Sequence, residues 1–252
     1  MSLLEIKNVT RNFGGLVALS EVSFDMNVGE IIGLIGPNGA GKTTLFNAIT
    51  GVFPPTSGQL MLEGEDITGL KPHRVALKGI IRTFQADVLF HDFSAMQNIL
   101  IGLHMRSSRL NPRQIFISPH SIPESEINIA SEILDMVGLG QFKNALAGDL
   151  PHGFQRMLGI GVALAAQPKI LLLDEPVTGM NLDEIRTVVE LIHTLQEKGL
   201  TILLVEHNIK TVMDICLRVI VLNFGKKIAE GSPDEIRGNK DVIEAYLGTE
   251  AA

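Results

Sequence analysis

Residues 36–44 read Gly36-Pro37-Asn38-Gly39-Ala40-Gly41-Lys42-Thr43-Thr44 and follow the apolar run Ile31-Ile32-Gly33-Leu34-Ile35. This is the pattern G-x-x-x-x-G-K-[ST] in its meaningful context: a buried strand, a glycine-rich turn, then a helix start. The glycines let the backbone curl so that successive N–H groups point inward at a phosphate chain. Lys42 can reach β- and γ-phosphates, and the Thr43 hydroxyl can join the shell of a Mg²⁺ ion. The helix that opens here aims unpaired N–H groups and its positive dipole end at the same anion. Plain glycine-rich connections are common, but the Lys-Thr pair at this offset points to a nucleoside triphosphate.

Phosphoryl transfer to water needs a phosphate cradle, a metal, a group that orients the water and stabilisation of developing charge. Candidates for each occur at the ends of apolar runs. Asp174 and Glu175 close the run Ile170-Leu171-Leu172-Leu173. Asp174 is placed to hold the Mg²⁺ shell, and Glu175 to polarise an attacking water. Gln85 ends the strand-like stretch 80–84 and could lend an oxygen to the metal while reaching another surface. His207 follows the apolar run Thr201 to Val205 and could donate to a γ-phosphate. Taken singly, His207 is more often a satisfied strand-end histidine and Gln85 an ordinary loop residue. Phe13, before Gly14-Gly15, is either a hairpin core aromatic or a stacking platform for a flat base.

These residues need a frame. Leu3 to Ile6 and Val22 to Met26 alternate apolar with polar and predict strands, as do 59–62 and 80–84. Helices are expected at 45–50, 72–78 with Pro72 in its first turn, 90–100, 127–137, 153–166 and from Asn181 to Gly199. Asn181 with Glu184 three residues on is a capping-box signature. The stretch 219–230 reads as an edge hairpin around Phe224-Gly225, with a small helix from Asp241. Apolar strands alternating with helices predict an α/β fold whose parallel sheet is covered on both faces, with an antiparallel β part. Residues 86–167 form an inserted helical lobe in this reading, and about 1–85 and 168–252 the core of a single domain. Within the lobe, 106–123 carries three prolines and three arginines without an acid, and is expected to be an irregular loop with a solvated basic face.

The 252 residues, 45% hydrophobic and 19% charged, suit one large α/β domain. No apolar stretch is long enough to cross a bilayer, and no cleavable leader is seen, so a cytoplasmic protein is expected. The lone Cys216 allows no intramolecular disulfide. A net charge of −7 argues against a nucleic-acid partner.

Taken together and in this order, the motifs resemble those of the ATP-binding subunits of ABC transporters along nearly the whole chain. Phe13 matches the adenine-stacking aromatic, 36–44 the Walker A loop and Gln85 the Q-loop. Ile170 to Glu175 match the Walker B strand with its catalytic glutamate, Gly179 to Asp183 the D-loop region, and His207 the switch histidine. Ile81-Arg82-Thr83-Phe84-Gln85, the insertion after His104, Val205 to Asn208 and Val242 to Gly248 are similar to the branched-chain amino-acid importer subgroup.

The resemblance implies ATP and Mg²⁺ as cofactors and a head-to-tail dimer in which each nucleotide is shared by two chains. It also implies separate transmembrane permease subunits, with a solute-binding protein acting indirectly, and a peripheral place on the inner face of the membrane. A soluble ABC ATPase working on ribosomes or DNA repair is the second reading. Such proteins usually pair two ATPase domains in one chain or carry a long coiled coil. A GTPase would need an Asn-Lys-x-Asp motif, which the chain lacks. The family signature L-S-x-G-Q departs here to Leu150-Pro151-His152-Gly153-Phe154. Pro151 supplies neither hydroxyl nor N–H, which leaves Gly153 and the helix dipole to face the partner's nucleotide. Leu217 stands where the family commonly has an aspartate.

Overall fold

A computed structural model describes residues 2–83, 89–104, 122–206 and 208–250, with side chains through 246. Strands β1 (Ser2–Phe13) and β2 (Leu16–Asn27) pair antiparallel, and β4 (Ser57–Leu62) and β5 (Glu65–Asp66) extend them in the order β2-β1-β4-β5. Both first strands run further than the hydrophobic alternation indicated. The turn at Gly14, φ 56°, lets pairing continue to Phe13 opposite Leu16.

The second sheet is ordered β10-β9-β3-β8-β7-β6. Its members are β3 (Ile31–Ile35), β6 (Ile80–Arg82), β7 (Ile170–Asp174), β8 (Thr201–Val205), β9 (Arg218–Asn223) and β10 (Lys226–Gly231). All are parallel to their neighbours except β10, which turns back antiparallel on β9. Strands β3, β7 and β8 are buried along their whole length, as unbroken aliphatic runs require when both sheet faces are covered.

Strand periodicity splits the interior in two. Ile32, Leu34, Ile170, Leu172, Leu203 and Val205 face a core shared with the antiparallel sheet and with α1 (Lys42–Ile49). Ile31, Ile35, Leu171, Leu173, Ile202 and Leu204 face the other core, built with α3 (Ala95–His104), α4 (Glu124–Met136), α5 (His152–Ala165) and α6 (Leu182–Glu197). Helix α2 (Pro72–Leu77) leads into β6, and α7 (Ile209–Ile215), α8 (Pro233–Arg237) and α9 (Lys240–Glu250) complete the chain.

Helices α3 and α5 pack through small residues. A Cβ on Gly102 would lie 2.5 Å from the Val162 oxygen, and one on Gly161 would lie 2.9 Å from Ile99 Cδ1. The helix expected from residue 90 starts only at Ala95. Ser94 and Gln97 cap it reciprocally, at 3.2 and 2.9 Å. The buried Asn98 amide meanwhile holds the preceding loop by donating to the Phe90 and Phe93 carbonyls. Phe90 and Phe93 therefore stack with each other, centroids 5.6 Å apart, outside the helix. Asn181 and Glu184 form the expected capping box of α6. Another, Ser232 with Glu235, starts the short α8, a helix absent from the sequence expectations.

Candidate active site

The loop 36–44 joins the C-terminal end of β3 to α1, as its pattern predicts. Gly36, Gly39 and Gly41 have φ of 152°, 79° and 104°. At two of them space as well as conformation demands glycine: a Cβ on Gly36 would lie 2.1 Å from the Leu222 oxygen, and one on Gly41 2.7 Å from the Ala18 oxygen. Lys42 is buried and folds over the loop, its Nζ donating to the carbonyls of Gly36 at 2.6 Å and Pro37 at 3.1 Å. Burial lowers the Lys42 pKa, while the nearby carboxylates of Glu175 and Asp174 work in the opposite direction.

The last part of the chain braces this loop. Gly225, in the turn between β9 and β10, donates its N–H to the Ala40 carbonyl at 3.0 Å and accepts from Ser20 N–H at 2.8 Å. Tyr246 on α9 reaches Gly36, whose backbone hydrogen-bonds its hydroxyl; burial nevertheless pushes the phenol up to about 12.

Asp174 and Glu175 sit where β7 ends, with one strand, β8, between them and the phosphate loop's own strand. Asp174 lies opposite Val205 in the parallel register. Its Oδ2 takes the Arg82 guanidinium at 2.6 Å, with both side chains only 8% exposed. The same guanidinium donates to Asn47 Oδ1 on α1 at 2.6 Å and lies over the Phe46 ring at 5.5 Å. Arg82 thus ties the acid at the end of β7 to the helix that follows the phosphate loop. Sequence reasoning gave it no role. It lies far from Asp174 in the chain, and only the parallel pairing of β6 with β7 brings the two together.

Glu175 is buried and adopts φ 51°, unusual for a non-glycine residue. Its N–H donates to the Val205 carbonyl at 2.8 Å, and its own carbonyl accepts from Arg156 Nη1 at 3.2 Å. Its Oε2 accepts from the Thr178 hydroxyl at 3.4 Å. The turn after it is held by buried Glu206, whose Oε1 accepts the Val177 N–H at 2.9 Å. Strain retained under this much support marks functional positions.

A cleft of about 450 Å³ joins these parts. Its lining combines Asn38 to Thr44 and Glu175 with the apolar Phe13, Leu16, Val17 and Ala18 and the turn Phe224-Gly225. Phe13 packs edge-on against Phe53 at 5.2 Å, with the Arg11 guanidinium 4.6 Å from its centroid. Gly153 is the second residue of α5 and does not line this cleft; a Cβ there would lie 2.4 Å from Glu184 Oε1. Pro151 occupies the N-cap just before α5, one place earlier than its first turn, at φ −51° and ψ 148° with no side-chain cap. Gln85, His207 and residues 105–121 lie outside the described residues, although Asn208, next to His207, caps α7 by accepting from Thr211 N–H at 3.2 Å.

A parallel sheet with a phosphate loop on one strand and an acid pair two strands away is the geometry of P-loop nucleotide hydrolases. The added antiparallel sheet and the helical layer narrow the class to ATP-binding cassettes. The chain belongs to the ABC transporter family: the model of that family matches residues 19–178, and that of the branched-chain amino acid ATP-binding cassette transporter matches 226–252. It is similar to the high-affinity branched-chain amino acid transport ATP-binding protein BraF of Pseudomonas aeruginosa, with 41% identity over 98% of each chain. Among solved structures it resembles an ATP-binding cassette of an ABC transporter in its ADP conformation. The TM-score is 0.87 and the identity 31%, over 98% of this chain and 99% of that one. A dimeric cassette in a post-hydrolysis state, bound to ADP and Pi, matches with TM-score 0.78 and 26% identity, over 91% of this chain and 98% of that one. The chain is a transport ATPase that binds and hydrolyses ATP.

Proposed function

We propose that this cassette drives an importer of branched-chain amino acids, working as one half of an ATPase dimer docked on separate permease subunits. The observation that carries the reading is similarity to BraF along nearly the entire chain, together with the subgroup's own C-terminal segment at 226–252. Among the described residues no helix is long and apolar enough to cross a membrane, so membrane attachment would come through the permease, on the cytoplasmic face. A solute-binding protein would deliver the amino acid from outside. In the same reading, residues of about 86–167 act as the inserted lobe and the rest as the catalytic core.

The chemistry follows from the site. The N–H groups of 38–44 and the Lys42 ammonium cradle the β- and γ-phosphates, and the dipole of α1 adds to the field. Thr43 and Asp174, with Gln85, would hold Mg²⁺; hydroxyl, carboxylate and amide oxygens are the hard donors that this ion takes alongside phosphate oxygens and water. When bound, the ion neutralises charge that builds on the transferred phosphoryl group. Glu175, fixed through its backbone on both sides, orients the attacking water and accepts its proton. His207 donates to the γ-phosphate. Gly153 faces the partner's nucleotide, so closure of the dimer and completion of each site are one event.

The test is Glu175→Gln, tagged and captured from detergent-solubilised native membranes with Mg-ATP. The variant should bind ATP, fail to hydrolyse it and remain dimeric by light scattering. Multi-span permease subunits should accompany it, and their transport of leucine, isoleucine or valine in proteoliposomes would establish the solute. Recovery with ribosomal or DNA-repair proteins and no membrane protein would overturn the importer reading.

A further inference from the structure

Phe224 has no role in the chemistry above, yet its placement is unusual in three respects. It is 81% exposed, more than any other large hydrophobic side chain among the described residues. It also sits at φ 45°, followed by Gly225 at 76°, which is the positive-φ pair of a two-residue hairpin turn. The first place of such a turn favours Asn, Asp or Gly, and a phenylalanine there is strained. Finally, the turn is keyed to the phosphate loop. Gly225 bonds to Ala40 and Ser20, and a Cβ on it would lie 2.7 Å from the Ala18 oxygen. A strained, exposed ring is thus held next to a turn fixed on the phosphate loop, and it lines the same cleft as Phe13, Leu16 and Val17.

A nucleotide is a polyanion at one end and a flat aromatic at the other. The cleft lining offers a partner for each, the glycine-rich loop with Lys42 at 38–44 and the rings of Phe13 and Phe224. We propose that Phe224 is a second aromatic wall of the base site, contributed by the last hairpin as Phe13 is by the first. A purine ring that stacks on it is drawn from water at a π-face every base possesses. The inference rests on the reading of this cleft as the ATP site and adds a residue that discriminates nucleotide from bare polyphosphate.

The chain contains no tryptophan, so Phe224→Trp places a single indole at the proposed contact. Its emission should change on titration with Mg-ATP or Mg-ADP and stay unchanged with inorganic tripolyphosphate. Phe224→Ala should weaken ATP binding by about fivefold or more, the span of one lost base–aromatic contact, and leave tripolyphosphate affinity unaltered. Phe224→Asn, the residue that the turn prefers, should match the alanine variant in ATP affinity while unfolding at a higher temperature than the parent. An indole silent to ATP in a variant that still binds radiolabelled ATP would overturn the proposal. So would a Phe224→Ala protein with parental ATP affinity that loses its permease subunits, which would assign the ring to a protein contact. Absence of ATP binding by the parent chain would overturn the nucleotide-site reading itself.

Discussion

Arg82 and Asp174 form a buried ion pair within hydrogen-bond distance, and pairs of this kind are judged by what their loss leaves behind. Removing the guanidinium strands a carboxylate in a site that water barely reaches, and such losses cost about 3–5 kcal/mol. Arg82→Gln should therefore lower the unfolding free energy in urea by that order. Adding Asp174→Asn should restore part of it, since the double variant buries no lone charge. A change below about 0.5 kcal/mol for Arg82→Gln, the size of a neutral surface substitution, would mean that the pair does not hold β6, β7 and α1 together. The motif residues around this pair were legible because their spacing is itself chemical: Lys42 and Thr43 must follow the glycines at fixed offsets. Arg82 and Phe224 were not. The partner of Arg82 arrives across a parallel strand pair, and although the hairpin turn at Phe224-Gly225 was expected, its packing on the phosphate loop was not.

At the scale of elements, the helix–sheet contact at β3 is tight. A Cβ on Gly33 would lie 2.5 Å from Val212 Cγ1 and 3.0 Å from Cys216 Sγ, on α7 and at its C-cap. Gly33→Ala should destabilise the protein by about 1–3 kcal/mol through overpacking. It should also push α7 outward, and with it the capped start that follows His207, lowering ATPase activity. Cys216 offers the readout: burial pushes its thiol up to about 12, so iodoacetamide at pH 8 should scarcely label the parent and should label the alanine variant faster. Equal labelling would mean that α7 has not moved. Element types were largely legible here, because aliphatic runs and helical stripes state their own period. Helix starts were less so. The reciprocal bonds of Ser94 with Gln97 outcompeted the hydrophobic pattern around Phe90 and Phe93, and the small α8 depends on caps more than on any apolar stripe.

At the scale of the whole molecule, function in this reading requires two cassettes, and the signature helix α5 is where they would meet. Pro151 sits at its N-cap without a capping side chain. Pro151→Ser should stabilise α5 by about 0.5–2 kcal/mol through the new cap. In the Glu175→Gln background it should also form the ATP-bound dimer at about tenfold lower ATP concentration, because a hydroxyl and an N–H are gained toward a charged phosphate. Sedimentation at graded ATP measures this directly. An unchanged midpoint would show that Gly153 and the helix dipole already suffice.

The brace on the phosphate loop bears on how the protein is made. The loop lies early in the chain, but its strand is inserted between β8 and β9, Gly36 rests on Leu222, Ala40 is bonded to Gly225, and Gly36 to Tyr246 on the last helix. A nascent chain on the ribosome therefore carries its phosphate motif for most of translation without the walls that shape it. Long-range pairing of this kind forms late and slowly. Chains truncated before β9 should therefore not bind ATP, which equilibrium dialysis with labelled nucleotide measures.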